Sequence, residues 1–180
     1  DQMQLSQPVQ GTHPGESGKS TLDYLLEGRD IVPEHQGILL PISYRLNPSI
    51  CHFISEAVYE GRLKSASGNE LQKLDSNDHT SGEIPSAGIG FVEVEHEGRG
   101  QRSEEEAEVI RDLFNKSLTR KYTDRNGETR PITSDDIMVV APYNAQVNYL
   151  KEVLPDGARV GTIDLFQGQE AQIVLISMTT

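Results

Sequence analysis

Tryptophan is absent from this sequence, cysteine occurs once, and Phe, Tyr and Trp together make up only 6% of it. A lone cysteine, Cys51, excludes a disulfide framework and a cysteine-rich zinc site, and it fits a reducing, cytoplasmic compartment. The five histidines, His13, His35, His52, His79 and His96, include no pair at the helical spacing that metal sites use, so no metal ligands are expected. No stretch approaches the roughly 20 apolar residues of a membrane-spanning helix, and no membrane partner is expected. Basic residues are also scarce, 16 Lys+Arg against 28 Asp+Glu, for a net charge of −12. That balance excludes a basic wrapper of nucleic acid but leaves room for an enzyme that touches it through a local patch. The apolar fraction of 35% is low for a compact fold and points to long polar loops or a face that meets a partner. What remains is 180 residues, the length of a single domain with a sizeable core.

Periodicity places the elements. Residues 21–26 form a short helical candidate with Ser20 as N-cap and Gly28 closing it; otherwise 1–36 hold no strand or long helix. Residues 37–40 read as a short buried strand. Asn47 and Pro48 supply the N-cap and first residue of a helix with Ile50, Phe53, Ile54 and Val58 on one face. Residues 61–88, rich in Gly, Ser, Asn and Lys, read as a polar insertion or disordered loop. Residues 91–95 alternate as a strand. Ser103 and Glu106 make a capping-box pattern ahead of Val109, Ile110, Leu113 and Phe114, and the acidic run Glu104-Glu105-Glu106 suits that helix's positive end. A turn-rich connector spans 120–135. Strands at 137–141, 160–163 and 173–178, the last apolar on both faces, alternate with a helix over 144–154. The alternation predicts an α/β fold, a parallel sheet flanked by helices on both sides, whose working loops leave the carboxyl ends of its strands.

Gly15-Glu16-Ser17-Gly18-Lys19-Ser20-Thr21 imitates a phosphate-binding loop. The full pattern needs a Gly five residues before Gly18, where His13 stands. Such a loop also joins a buried strand to a long helix, so that backbone N–H groups and the helix dipole converge on phosphate. Here the preceding residues are polar and broken by Pro8, and the following helix lasts under two turns. The segment reads as a flexible Gly/Ser loop and Lys19 as a decoy.

Four blocks carry more information: Asp1-Gln2-Met3-Gln4-Leu5, Tyr44-Arg45-Leu46-Asn47-Pro48, Ala141-Pro142-Tyr143-Asn144-Ala145-Gln146 and Gly161-Thr162-Ile163-Asp164-Leu165-Phe166-Gln167-Gly168-Gln169-Glu170-Ala171. Together, in this order, they resemble the second RecA-like domain of superfamily 1 helicases, in the branch of the nonsense-mediated-decay and Okazaki-fragment helicases. The nearest resemblance within it is to bacterial helicases fused to a RecB-like nuclease. The first block looks like the end of motif III without its Gly, and the last like motif V. The resemblance covers 1–60 and about 90–180, and implies a RecA-like parallel sheet of the P-loop NTPase superfold spanning 1–180 as one domain.

In that family ATP is hydrolysed between two RecA-like domains, where catalysis rests on positioning and on cations aimed at the γ-phosphate. The resemblance makes Arg45 such a cation, against the plain alternative of a surface Arg paired with a carboxylate. It makes Tyr44 a flat face for adenine, against a core or interface Tyr. It gives Gln4 the sensing of the γ-phosphate, and Glu170 the ribose or γ-phosphate region, presented by a tight turn at Gln167-Gly168. Thr162, Pro142, Tyr143 and Gln146 would meet the backbone of single-stranded nucleic acid, DNA before RNA, without reading sequence; Tyr143 has packing under the loop as its alternative. Asp164 reads as a turn-fixing residue. The acidic residues of 103–108 and 134–136 are expected away from the strand-binding surface.

ATP and Mg²⁺ would be held mainly by an N-terminal RecA-like domain of the same parent chain. The chain is expected to be a fragment that begins inside motif III and stops before motif VI, inactive on its own, from a parent that unwinds 5′→3′. Two other readings compete with the motor: a non-catalytic RecA-like interaction module, and a self-contained P-loop NTPase using Lys19.

Overall fold

The computed structural model describes residues 11, 14–76, 83–98 and 100–179. The chain divides into two units, one ending at Glu70 and the other starting at Leu71. In the first, Ser20 accepts a hydrogen bond from the Asp23 backbone N–H and opens helix α1 (Thr21–Leu26), which unwinds at Glu27 and Gly28 with φ of 50° and 83°. Both lie in the left-handed region that glycine enters without steric cost. Strand β1 (Ile42–Ser43), helix α2 (Pro48–Val58) and strand β2 (Lys64–Ser65) follow, with β1 and β2 paired in parallel. Asn47 caps α2 by accepting the Ser49 N–H at 3.0 Å, with Pro48 in the first turn, where its missing N–H costs nothing.

Two expectations for this unit need correction. Residues 37–40 are not a strand: Ile38 and Leu40 are 88% and 80% exposed, because the ladder with β2 begins only at Ile42. An apolar run becomes a strand only where its backbone groups find a partner. On α2 the buried positions are Cys51 and Ser55, while Phe53 is 58% exposed. The inward stripe is thus rotated from the one expected, toward small residues, and burial pushes the Cys51 thiol pKa up.

The second unit holds two sheets. Strands β3 (Lys73–Leu74), β4 (Lys121–Thr123) and β5 (Thr129–Pro131) form an antiparallel sheet in that order. Within 61–88 the described residues carry β2 and β3, while residues 77–82 lie outside the described residues, and the connector at 120–135 is a hairpin. Its turn closes where Asp124 accepts the N–H groups of Asn126 and Glu128, with Gly127 at φ 86°. Buried Arg120 ties this sheet to its surroundings, donating to the Asp75 carboxylate and to the carbonyls of Asp75 and Ile84.

The other sheet is parallel. Strand β6 (Ile137–Val140) lies between β7 (Arg159–Gly161) and β8 (Ile173–Ile176). Helix α3 (Glu104–Leu118) packs on β8 and on helix α4 (Asn144–Val153), which packs on β7. Ala107, Ile110, Leu113 and Phe114 of α3 recur at helical spacing and meet Val147 and Leu150 over Ile137, Val139, Ile173 and Leu175. The architecture is α/β with parallel strands flanked by helices, as expected. On β8, Val174 and Ile176 are 49% and 59% exposed. Residues 91–95 form no strand, and Phe91 is 89% exposed. No helix among the described residues is long and apolar enough to cross a membrane.

One ion pair of this unit makes stability depend on pH. Arg130 grips Asp136 through both terminal nitrogens at 2.6 Å, and the Thr133 N–H adds a bond at 2.8 Å. The Arg130 hydrogen bonds hold the Asp136 pKa down at about 2. An unfolded Asp titrates near 3.9, so the folded carboxylate is the better acid and its contribution is full above about pH 4. It is lost as pH falls through about 2. With Arg130 half exposed, we expect Asp136→Asn to cost about 1–2 kcal/mol at pH 7 and almost nothing at pH 2, read by denaturant unfolding across that range. A cost that stays constant with pH would contradict this account.

Candidate functional site

The bend at residues 44–46 leaves the carboxyl end of β1 and feeds α2, presenting Tyr44 (64% exposed) and Arg45 to solvent. Polar side chains shape it, Asn69 fully buried and Ser65 and Asn47 half-buried. Asn69 donates through Nδ2 to the carbonyls of Ser43 (3.0 Å) and Leu46 (3.2 Å), one at each end of the bend. Ser65 Oγ donates to the Leu46 carbonyl at 2.6 Å, and Asn47 Nδ2 reaches the Asn69 carbonyl at 3.4 Å. An exposed guanidinium beside an exposed phenol ring suits the phosphates and base of a nucleotide.

In the second unit, the loops after β6 and β7 leave the same carboxyl edge of adjacent parallel strands. Pro142 and Tyr143 follow β6, both exposed, and α4 starts at Asn144. Thr162, half-buried, follows β7 and precedes a 3₁₀ turn over Ile163–Phe166. Gln167, Gly168 and Glu170 are exposed beyond it, with Gly168 at φ 80° where a side chain would be strained. Arg159 anchors this loop, donating to Gln169 Oε1 at 2.9 Å and to the Asp135 carbonyl at 2.7 Å.

Gln146 is a correction. Expected to face nucleic acid, it is fully buried, and its amide is consumed inside the protein. Oε1 accepts the Ser103 N–H at 2.9 Å, while Nε2 donates to the Ser103 carbonyl and to Ser177 Oγ, each at 3.0 Å. Ser177 Oγ donates to Glu106 at 2.7 Å, and Glu106 also accepts the Thr179 N–H at 2.9 Å. The expected capping box is thus half made: Ser103 Oγ accepts the Glu106 N–H, but the Glu106 carboxylate turns inward and Gln146 takes its place on the Ser103 N–H. Gln146 thus ties the first turn of α4 to the N-cap of α3 and to the end of β8. Glu106, in the first turn of α3, thereby meets the chain just past the carboxyl end of β8. Asp136 instead lies beside the opposite, amino end of β6.

Tyr44 and Arg45 belong to the first unit, and Pro142, Tyr143, Thr162, Gln167, Gly168 and Glu170 to the second. Gln4 lies outside the described residues. Lys19 follows a 3₁₀ turn, pairs with Glu16 at 2.5 Å and precedes a helix of only 6 residues. Among the described residues, no group of three or more His, Cys, Asp or Glu is placed to hold a metal ion. Asn69 and Ser65 were missed by sequence reasoning, because both fall in a segment whose composition reads as loop and no local pattern marks them.

Comparison with known proteins gives these loops a family. The model of the AAA domain family matches residues 18–180. The chain is 26% identical over 152 residues to the DNA polymerase alpha-associated DNA helicase A of Saccharomyces cerevisiae, covering 77% of this chain and 22% of that protein. It is 28% identical over 151 residues to the DNA-binding protein SMUBP-2 of Rattus norvegicus, covering 77% and 14%. Helicase sen1 of Schizosaccharomyces pombe matches at 28% over 153 residues, covering 79% and 9%. The chain thus spans less than a quarter of the length of each of these relatives. With its parallel strands, carboxyl-end loops and a match over nearly its whole length, the chain belongs to the AAA domain family, in the group that forms the C-terminal part of superfamily 1 helicase motors.

Proposed function

We propose that residues 1–180 act as the second RecA-like domain of an ATP-dependent helicase, working against a first RecA-like domain in the same longer polypeptide. The observation that carries this reading is that three motif loops, at Arg45, Tyr143 and Thr162, each leave the carboxyl end of a parallel strand. That is the edge where ligands bind in α/β sheets. Arg45 supplies positive charge to the γ-phosphate as charge develops there, and Tyr44 offers its ring to the adenine. Gln4 senses the γ-phosphate. Gln167 and Gly168 turn the chain so that Glu170 meets the ribose or γ-phosphate region. ATP and Mg²⁺ are held mainly by the first domain. Pro142, Tyr143 and Thr162 contact single-stranded DNA through its backbone and base faces, with Gln146 as internal support. Cytoplasmic location is supported by the single, free, buried cysteine. A fused RecB-like nuclease domain is part of the same proposal, supported by the branch resemblance alone.

The nucleic-acid half is tested by Tyr143→Ala in the full-length protein. Stacking of one base on an aromatic ring contributes roughly 1–3 kcal/mol, so Kd for single-stranded DNA should rise about ten-fold. An unchanged Kd in a folded variant would remove Tyr143 from the interface. The Glu16–Lys19 pair and the short helix after it give the self-contained NTPase reading no support.

A further inference from the structure

Asn69 is fully buried, yet it lies 26 residues from Ser43 and 23 from Leu46, whose carbonyls its amide joins. Those carbonyls bracket Tyr44 and Arg45. Asn69 is itself held from outside its side chain: its N–H donates to the Ala66 carbonyl at 3.2 Å, and its own carbonyl accepts Asn47 Nδ2 at 3.4 Å. The Ser43 carbonyl also accepts the Ala66 N–H at 2.9 Å, part of the β1–β2 pairing. The bend is therefore tied to the sheet at its entry and to the α2 cap at its exit, with one amide spanning both. A neutral amide suits this place, because its two N–H donors meet two carbonyls and bring no charge near a phosphate-binding cation.

We propose that Asn69 is a positioning residue for Arg45, holding the bend in the shape that aims the guanidinium; the inference rests on the catalytic reading of Arg45 given above. Misplacement of a catalytic group by about 1 Å can cost on the order of 100-fold in rate. In the full-length protein, Asn69→Ala should therefore lower kcat for ATP hydrolysis by roughly 10- to 100-fold.

The discriminating measurement is a double-mutant cycle on kcat, with thermal unfolding as the check of folding. If Asn69 acts through Arg45, adding Asn69→Ala to Arg45→Ala should change the residual kcat by less than about two-fold, since there is no guanidinium left to aim. A drop of equal size in both backgrounds would overturn the proposal, because a general loss of structure does not depend on residue 45. So would a folded Asn69→Ala with unchanged kcat while Arg45→Ala is severe. A silent Arg45→Ala would overturn the catalytic reading and this inference together. Should Asn69→Ala fail to fold, Ser65→Ala, which removes only the second donor to the Leu46 carbonyl, is judged by the same cycle.

Discussion

Arg45→Ala, made in the full-length protein, is expected to lower kcat for ATP hydrolysis by about 1,000-fold while ATP still binds. The magnitude follows from the role. In phosphoryl transfer, charge spreads over the oxygens of the transferred group, and a guanidinium placed there acts mainly on the transition state. The adenine and the other phosphates keep their contacts, so KM should move by only a few-fold. Arg45→Lys should recover part of the rate, since an ammonium keeps the charge but loses the two-pronged match to phosphate oxygens. Lys19→Ala is the paired control and should leave turnover unchanged, because Lys19 is engaged with Glu16 on the surface. The reverse result, a silent Arg45→Ala beside an inactive Lys19→Ala, would replace the motor-domain reading with the self-contained NTPase.

Phe114→Ala should be the most destabilising single change in the second unit. Phe114 is wholly buried where α3 lies on the parallel sheet, among Ile110, Val139 and Leu150. Its removal costs the transfer of a large ring from water plus the cavity left behind, together about 3–5 kcal/mol. Against a typical total of about 5–15 kcal/mol, that is a large share of what keeps a domain folded. Chemical denaturation of the wild type and the variant gives the number directly, and Phe114→Leu, which keeps most of the volume, should lose far less. A cost below about 1 kcal/mol would show that the site collapses around the missing ring, contrary to its fully buried place between α3 and the parallel sheet.

Helix starts and tight turns were legible because their causes lie within a few residues. Ser20, Asn47 and Ser103 announce α1, α2 and α3, and each accepts the expected backbone N–H. The β6–α4–β7 order was legible for a similar reason, since strand and helix periods differ within a short window. Strands were harder where the apolar run was short. Residues 37–40 and 91–95 have strand-like composition, but a strand needs a neighbour to accept its N–H groups, and composition does not name the neighbour.

The candidate site divides along the same line. Arg45, Tyr143, Thr162 and Glu170 are short motif positions, recognisable from the residues beside them, and each lies in a loop. Two fully buried amides were not recognisable. Asn69 reaches across 26 residues and Gln146 across 43, and each satisfies backbone groups whose identity depends on the folded path of the chain. A buried amide and an exposed amide look the same in sequence. Gln146 therefore read as a surface contact, and Asn69 as loop.

Residue order alone settled the α/β class, the caps, and which side chains can offer charge or a flat ring to a ligand, because those follow from local backbone preference and side-chain chemistry. Which polar groups turn inward, which face of β8 remains open and which residue clamps the Arg45 bend were settled by folding. The physical reason is that a buried donor or acceptor must be paired, and its partner is chosen by distance in space rather than by distance along the chain.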